Sequence, residues 1–274
     1  MSCFNKANLI VMILKEYKPK KIKKDNILNS RKKIFNNKSQ NLNFLLEKRF
    51  KWIKNFLLNK KIIIELGSGN GCIKRIIKNK KIILTDINKY KWINKKLDMR
   101  TINLGKKYYK KVDVFIFNHA LHHCSNPSKT LYLISKYLKK GGYILLNEPE
   151  ASISLRLIQY LLDDEGWSYN VDIFNKNKNI FSSNNPWYSN TAVANLLFSD
   201  EKKFIQNFPF YEIKKNELSE FFIFINSGGV NQNIFHIPLN RFFISCLNMI
   251  DKILIGLFPK IFALNRSVIL KKIY

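Results

Sequence analysis

The sequence has only four cysteines, and no two of them form a CxxC pair. They lie far apart along the chain, at Cys3, Cys72, Cys124 and Cys246. A small disulfide-stapled domain or a zinc knuckle would carry denser or closely paired cysteines. We therefore expect a protein of the reducing cytoplasm.

An uninterrupted membrane span is also missing. The most apolar stretch, residues 242 to 264, contains Asp251, Lys252 and Lys260, so it falls short of the roughly 20 apolar residues that a transmembrane helix needs. We expect a buried or interfacial helix here, which leaves open a peripheral contact with the inner face of the membrane. No internal repeat and no Gly/Ser-rich linker divides the chain.

Acidic residues are scarce. The 19 Asp and Glu stand against 48 Lys and Arg, which gives a formal charge of +29. Such a charge favours polyanionic partners, for example nucleic acid or an anionic membrane. However, the lysines are spread over every segment and form no dense tract, which is typical of a composition bias of the whole sequence. We therefore expect no specific nucleic-acid partner.

The sequence does have enough apolar residues for a full core. Hydrophobic residues make up 46% of its 274 positions and aromatic residues 14%, which excludes a disordered chain. Residues 1–41 are rich in Lys and Asn, and we expect them to form a loosely ordered basic segment. Residues 42–274 are predicted to form one domain with insertions.

Buried strands and amphipathic helices alternate through the first half of this domain. Four apolar runs predict parallel strands that are buried on both faces, KIIIEL (61–66), IILTD (82–86), VDVFIFN (112–118) and YILLNE (143–148). Apolar residues at helical spacing predict a helix over residues 42–58. Asn126 or Ser125 as N-cap, with Pro127 at the first helical position, predicts the start of another helix, which we expect to end at Gly141.

The C-terminal part of the sequence predicts a different arrangement. YEIKKNEL, from Tyr211, and RSVILKKI, near the C-terminus, predict an antiparallel edge pair with residues 218–265 inserted between the strands. The fold class predicted from these patterns is α/β, a doubly wound, mostly parallel, Rossmann-like sheet with an antiparallel edge strand and a C-terminal helical insertion. Ligands of such sheets bind beyond the carboxyl ends of the strands.

A glycine-rich loop follows the first buried strand, in the stretch IIIELGSGNG. Glycines at 67, 69 and 71 let the backbone approach a ligand closely. The dinucleotide fingerprint GxGxxG would need glycine at position 72, where the sequence has Cys72. ELGSGNG instead resembles the first motif of the class I S-adenosylmethionine-dependent methyltransferases, with an acid, Glu65, two residues before the first glycine.

The resemblance implies S-adenosylmethionine as the cofactor. In that family the loop accommodates the methionine part, whose ammonium group suits an acid such as Glu65. An acid at the position of Asp86 accepts hydrogen bonds from both ribose hydroxyls. Asp98 and Met99, in KLDMRTI, resemble the third motif, which contacts the adenine. The implied cofactor site consists of Glu65, Gly67, Ser68, Gly69, Gly71, Asp86, Ile87, Asp98, Met99 and Asn118.

The turn after the third strand carries three histidines and a cysteine, in HALHHC. We expect no metal, because an HxxHHC turn cannot aim all four side chains at one tetrahedral centre without strain. Two interpretations remain open: a histidine that caps backbone groups of the turn, or a general base that removes a proton from the methyl acceptor. For the second, His119 is the first candidate and His123 the second.

The resemblance covers about residues 45–150 and is closest to the small-molecule enzymes of the class. It implies methyl transfer to a small-molecule acceptor, for which we expect a hydroxyl of a sugar or of a cell-surface glycan precursor. An RNA methyltransferase, which the charge favours, and a non-catalytic cofactor-binding protein of the same fold are the alternatives. The intact glycine loop argues against the non-catalytic alternative, because a fold that no longer binds cofactor does not need it.

Residues 151–208 are expected to elaborate the acceptor site, and residues 218–265 to cover its mouth. Acidic and aromatic candidates for the acceptor walls are Glu148, Glu150, Asp163, Asp164, Glu165, Trp167, Trp187 and Tyr188. The insertion has too many large apolar residues to leave in water. We favour a lid on the sheet domain over an apolar face that lies on a membrane carrying a lipid-linked acceptor.

Overall fold

A seven-stranded sheet forms the centre of the computed structural model, which describes residues 15–24, 26–36, 39–78, 81–182, 185–230 and 234–274. Within these ranges the strands are β1 (Glu16–Tyr17), β2 (Ile63–Leu66), β3 (Ile82–Asp86), β4 (Lys95–Lys96), β5 (Val112–Asn118), β6 (Leu138–Pro149), β7 (Trp167–Ser168), β8 (Tyr211–Ser219) and β9 (Asn265–Lys272). The order in the large sheet is β4-β3-β2-β5-β6-β9-β8, and β1 and β7 pair separately.

Helices cover both faces of this sheet. Among the described residues they are α1 (Ile27–Asn36), α2 (Gln40–Phe56), α3 (Ile73–Ile76), α4 (Pro127–Ser135), α5 (Ile153–Leu162), α6 (Val193–Phe198), α7 (Glu201–Asn207), α8 (Phe222–Ile225), α9 (Arg241–Leu257) and α10 (Pro259–Phe262). One buried cluster packs residues of α4, α6 and α7 on the sheet, and the other packs α1, α2 and α3 on the opposite face. Two-sided burial explains why β2 and β5 read as continuous apolar runs.

The predicted fold class is confirmed. β4, β3, β2, β5 and β6 run parallel, and β9 joins β6 in the antiparallel direction, with β8 at the edge. Ile64 of β2 is in register with Ile83 of β3 on one side and with Phe115 of β5 on the other. The strand order reverses at β2, which has β3 on one side and β5 on the other, so a crevice opens at the carboxyl ends of β2 and β5, where ligands of such sheets bind.

The helix predicted from Asn126 to Gly141 is shorter than expected. Its start is as predicted, because the Asn126 side chain accepts a hydrogen bond from the backbone N–H of Lys129. It ends at Ser135, and Leu138 already pairs with Val112 in the sheet, so Gly141 lies inside β6. Sheet pairing thus takes residues whose local sequence also suits a helix terminus.

The basic N-terminal segment contains ordered elements in its described part. Residues 27–36 form α1, in which Ile34 is fully buried in the second core cluster, and β1 pairs with β7. Residues 1–14 lie outside the described ranges. The boundary at residue 41 stays a prediction, although α1 and α2 both pack on the same core.

Two buried carboxylates anchor the insertion between β8 and β9. Asp251 of α9 accepts backbone N–H bonds from Phe221, Phe222 and Ile223, at 2.8 to 3.2 Å. Glu220 forms a bidentate ion pair with Arg49 of α2, with an Nη2–Oε2 distance of 2.6 Å. The first contact holds α9 against the start of α8 within the insertion, and the second fixes the insertion on α2 of the domain. A buried charge is tolerated only when it is paired and hydrogen-bonded.

Within the described ranges, no helix is both long enough and apolar enough to cross a membrane.

Candidate active site

A cavity of about 330 Å³ lies at the carboxyl ends of the parallel strands. Such a volume suits a small-molecule or cofactor site. One part of its wall is the glycine loop with the ends of β3 and β5, and another is the histidine turn with Leu162, residues 164–166 and residues 186–189. The predicted cofactor and catalytic residues therefore meet in one cavity, with the exceptions described below.

The glycine loop needs glycine for two reasons. Gly67, Gly69 and Gly71 all have φ between 47° and 68°, in the left-handed region that side chains disfavour. In addition, a Cβ on Gly67 would lie 2.8 Å from the Cβ of Ala120 in the histidine turn. The loop therefore brings its backbone directly against the neighbouring strand end.

Asp86 ends β3 and organises the glycine loop. Its carboxylate accepts the backbone N–H of Gly69 at 2.9 Å and that of Asn88 at 2.8 Å. Burial raises the pKa of Asp86, and the backbone N–H donors partly offset this. Each carboxylate oxygen has a second lone pair, so Asp86 can accept further hydrogen bonds from a ligand in the cavity.

Glu65 lies behind the loop, away from the cavity wall. Its side chain is buried, and burial raises its pKa to about 8. Oε2 has no hydrogen-bond partner among the described residues. A direct contact between Glu65 and a cofactor ammonium group stays a prediction, as does a contact with Gly71, which packs behind the loop against Arg31 and Trp92.

The remaining predicted cofactor residues line the cavity. Ser68, Ile87, Asp98, Met99 and Asn118 all contribute to its wall. Burial raises the pKa of Asp98, but its hydrogen bonds with the guanidinium of Arg100 outweigh this and lower it. Oδ1 of Asn118 is buried and has no partner among the described residues. It is an acceptor that a ligand donor would satisfy.

The N-terminal segment covers the glycine loop, which the sequence patterns did not predict. Arg31 of α1 donates to the carbonyl of Asn70 at 2.7 Å, and its guanidinium stacks over Trp92 at 4.3 Å. Trp92 in turn donates to the carbonyl of Gly69 at 2.8 Å. Ile22 and Ile27 line the cavity. No motif signals such a contact, because it joins residues about 40 positions apart.

His122 is held between two carboxylates. Its Nδ1 donates to Glu148 at 2.7 Å and its Nε2 to Glu165 at 3.2 Å. Burial lowers the pKa of His122, but the two carboxylates outweigh burial and raise it to about 10, so the ring is an imidazolium at neutral pH. Glu148 also accepts N–H bonds from Ala120 and Leu121, which fixes the turn. The sequence patterns predicted His119 and His123 as bases and gave His122 no separate role.

His123, in contrast to His122, is neutral. Its Nδ1 donates to the carbonyl of Tyr188 at 3.1 Å, which leaves Nε2 as an acceptor 3.5 Å from Oε1 of Glu165. Burial and the neighbouring His122 cation lower the pKa of His123 to about 4, so it is neutral at pH 7. Burial raises the pKa of Glu165, but the histidines, His122 first, outweigh it and lower the pKa. A neutral histidine thus faces a carboxylate in the cavity.

His119 lies beside this cluster but is not part of it. Its backbone has φ 51°, and burial lowers the pKa of its ring well below the usual value. Nε2 is buried and has no partner among the described residues. Both predicted base candidates, His119 and His123, therefore line the cavity, and His123 is the one whose Nε2 lies 3.5 Å from a carboxylate oxygen, that of Glu165.

His122, His123 and Glu165 could also hold a metal ion, since one donor atom from each lies within 4.8 Å of the others. Two members come from the HxxHHC turn, and the third comes from outside it. Cys124 is buried in the hydrophobic core instead. In the structure both ring nitrogens of His122 face carboxylates, and an imidazolium satisfies that arrangement without an ion. The expectation that no metal binds stays a prediction.

The acidic and aromatic candidates for the acceptor walls separate into two groups. Asp164, Glu165, Trp187 and Tyr188 line the cavity. Glu148, Glu150, Asp163 and Trp167 do not, and they have structural partners: Glu150 pairs with Arg266, Asp163 accepts from Tyr17, and Trp167 packs in a buried cluster. Residue chemistry alone could not separate the two groups.

Comparison with known proteins finds a family model that matches the chain and solved structures that are similar to it. The family model described as a methyltransferase domain matches residues 31–197. A solved S-adenosylmethionine-dependent methyltransferase from Archaeoglobus fulgidus has 15% identity and a TM-score of 0.50, over 88% of this chain and 97% of that one. Another, from Mesorhizobium loti, has 11% identity and a TM-score of 0.41, over 83% of this chain and 100% of that one. No curated protein matches the sequence.

The strand order, the glycine loop and the acid that ends β3 define a class I S-adenosylmethionine-dependent methyltransferase. The chain belongs to the methyltransferase domain family whose model covers residues 31–197, which is more than half of its length. Methyl transfer is thus its reaction, and S-adenosylmethionine is the expected cofactor.

The residues on the cavity wall fit that cofactor. The bare backbone of Gly67 and Gly69 gives close approach, and Asp86 has lone pairs left for hydroxyl donors. The unsatisfied Oδ1 of Asn118 offers an acceptor inside the cavity. The side chain of Met99 lies within 3.5 Å of the Cβ position of Gly67 and provides an apolar contact.

Proposed function

We propose that the protein methylates a hydroxyl group of a small, sugar-like acceptor, with His123 as the general base. The observation that carries this proposal is the cluster of His122, Glu165 and His123 on the wall of the same cavity as the glycine loop and Asp86. A hydroxyl is a poor nucleophile until its proton is removed, and Nε2 of the neutral His123 has a lone pair that can accept this proton.

S-adenosylmethionine supplies an electrophilic methyl group, which leaves sulfur as it bonds to the acceptor oxygen. Gly67, Gly69, Asp86, Met99 and Asn118 are the residues that would hold the cofactor, on the grounds of burial and free acceptor atoms given above. The enzyme gains mainly from positioning the two partners and from excluding water.

His123 accepts the hydroxyl proton at Nε2. Its Nδ1–H stays bonded to the carbonyl of Tyr188, which fixes the tautomer and the ring orientation. The imidazolium that forms lies 3.5 Å from the carboxylate of Glu165, which stabilises the new charge. The cation of His122 holds Glu165 in place and keeps it ionised.

The acceptor side of the cavity is suited to a polar ring. Trp187 and Tyr188 offer aromatic surface, and Asp164 and Glu165 offer hydrogen-bond acceptors for further hydroxyls. Aromatic faces beside carboxylates are a combination that suits sugars. The acceptor hydroxyl would lie near His123, because only there does a neutral base meet a carboxylate on the described wall.

Transfer of labelled methyl groups tests the proposal. The protein is incubated with methyl-tritiated S-adenosylmethionine and an extract of the source cells, which is then divided into lipid, small-molecule, RNA and protein fractions. We expect label in the lipid or small-molecule fraction, in a product that resists mild alkali as an ether does and an ester does not. Label that is removed by ribonuclease would support the RNA alternative instead.

Variants of the cluster test whether His123 and Glu165 are needed for the labelled methyl group to be transferred. Glu165→Gln and His123→Gln should bind S-adenosylmethionine as the wild type does and lose at least about 100-fold in transfer, the usual contribution of acid–base catalysis. Glu212→Gln, which changes an exposed carboxylate on β8, is the matched control and should transfer normally. Full transfer by both cluster variants would refute the assignment of the base.

A further inference from the structure

We propose that an apolar face around the mouth of the cavity docks on an anionic lipid membrane, and that the methyl acceptor is an amphiphile held in that membrane. The mouth face, as we call it, consists of the exposed apolar side chains of α5, α8, α9 and α10 and of residues 234–237. This inference rests on the proposed function, since it specifies the class of acceptor.

Helix α9 has two opposite faces. Ile244, Asp251 and Ile255 are buried on one side. The other side carries an apolar stripe at helical spacing, made of Phe242, Met249, Ile253 and Leu257. Phe242 is 70% exposed, Ile253 61% and Leu257 66%. A domain that only packed α9 on its core would not need this second apolar stripe.

The stripe continues over neighbouring helices. α9 contacts α8 and α10, and α10 contacts α5. Between α8 and α10, the ring of Phe221 lies 4.7 Å from that of Phe222 and 4.9 Å from that of Phe262. The exposed apolar side chains of these elements include Leu157, Leu161, Phe222, Ile225, Phe258 and Ile261. They lie on elements that contact one another in turn.

The mouth face borders the cavity directly. Leu162, Phe224 and Ile234 line the cavity, and next to them in sequence Leu161 is 70% exposed and Phe235 is 89% exposed. An acceptor with an apolar tail could therefore place its polar head in the cavity while its tail stays on the apolar face. This position relative to the cavity connects the face to the acceptor.

The charges around the mouth face favour an anionic membrane as its partner. The only acid of α9, Asp251, is fully buried, so the exposed side of the helix carries Lys252 and no carboxylate. Lys260 is exposed on α10, and the basic stretch 18–24 lies at the end of α5, where Lys23 donates to the carbonyl of Leu162. Apolar side chains flanked by lysines are what an anionic bilayer surface binds.

A second copy of the chain fits the same face less well. Two molecules of charge +29 repel each other, and nothing on the exposed side of α9 offsets that charge. The lid that the sequence analysis favoured accounts for the buried residues Ile223, Ile244 and Ile255 but leaves the exposed stripe unexplained. Docking on a membrane covers the stripe and uses the charge.

Vesicle flotation tests the inference. The full chain is floated with vesicles of phosphatidylglycerol and phosphatidylcholine, and separately with phosphatidylcholine alone. We expect flotation with the anionic vesicles and little with the neutral ones. Ile253→Asp combined with Leu257→Asp should reduce partitioning at least about tenfold, because two apolar anchors are lost and two negative charges face an anionic surface.

The control changes two exposed apolar residues outside the face. Leu58→Asp with Ile205→Asp makes the same change in charge next to the amino ends of β2 and β8, away from the cavity, and should float as the wild type does. Equal flotation of the two double variants would show that net charge alone drives binding and would overturn the proposal. A wild-type protein that does not float would also overturn the proposal. This includes the case in which the wild type forms a dimer and the variant of the mouth face does not.

Calorimetric titration of S-adenosylmethionine, on the same samples, separates this proposal from the proposed function. A variant that loses flotation and keeps cofactor affinity shows that docking and cofactor binding are independent. If the wild type floats as expected and label enters only water-soluble compounds, the hydroxyl methylation stands and the amphiphilic acceptor is refuted. If label enters lipid without flotation, the mouth face is not the docking surface.

Discussion

Asp86→Ala is the substitution that tests the cofactor site most directly. The carboxylate holds two backbone N–H groups, of Gly69 in the glycine loop and of Asn88, at 2.9 and 2.8 Å. It also ends β3 on the cavity wall, where the family resemblance implies contact with both ribose hydroxyls. Alanine removes both functions and leaves the strand in place.

The expected loss follows from the number of hydrogen bonds. Two hydrogen bonds from cofactor hydroxyls to a carboxylate contribute about 1.5 kcal/mol each at the lower end, hence about 3 kcal/mol together, which corresponds to about 150-fold in Kd. Water that enters the space can replace part of this, so we expect a loss of at least about tenfold. Isothermal titration of S-adenosylmethionine measures the change.

Asp113→Ala is the matched control. Asp113 is also buried and also accepts two backbone N–H bonds, from Lys61 and Ile62, both at 2.9 Å, but it lies at the amino end of β5. Both variants should lose stability to unfolding, while only Asp86→Ala should lose cofactor affinity. Unchanged affinity in Asp86→Ala, or an equal loss in Asp113→Ala, would falsify the assignment.

Four further outcomes are expected. Gly67→Ala should abolish measurable cofactor binding and lower the melting temperature, because φ 64° costs about 1–2 kcal/mol for a side chain and the new Cβ meets Ala120 at 2.8 Å; normal binding refutes the close packing of the loop. The stability advantage of wild type over His122→Gln should be full below pH 6.5 and disappear as pH rises towards 10, since folding raises this pKa; an advantage that grows with pH contradicts the imidazolium. Glu220→Gln should cost about 3–5 kcal/mol in denaturant unfolding, because Arg49 stays buried without its partner, and a loss below about 1 kcal/mol argues against the pair. Dialysis against a chelator should leave methyl transfer unchanged, and loss that is restored by a divalent cation would support a metal between the two histidines and Glu165.

The exposed stripe of α9 also bears on how the enzyme is handled. Exposed apolar surface of this extent makes a protein prone to self-association at high ionic strength, where screening weakens the repulsion between chains of charge +29. We therefore expect the choice of salt and detergent to affect the self-association of this protein.

The sequence by itself determined the sheet, the loop and the acid at the end of β3. These features are local: an apolar run buried on both faces predicts a parallel strand, a left-handed loop needs glycine, and an acid such as Asp86 at a strand end lies in the crevice by topology. The ends of α4 were less predictable, because pairing of Leu138 with Val112 in the sheet decides where the helix stops.

Only the tertiary structure decided the catalytic arrangement and the exposed face. Glu165 lies about 40 residues after the adjacent His122 and His123. The direction of each histidine side chain in a three-residue 3₁₀ turn depends on its partners rather than on spacing. Helical spacing shows that α9 has an apolar face, yet it cannot show which apolar residues the domain covers. The side of α9 that is covered depends on the contacts of Asp251. Its hydrogen bonds with three backbone N–H groups hold that side of α9 against the start of α8, which leaves the apolar stripe on the opposite side exposed to solvent.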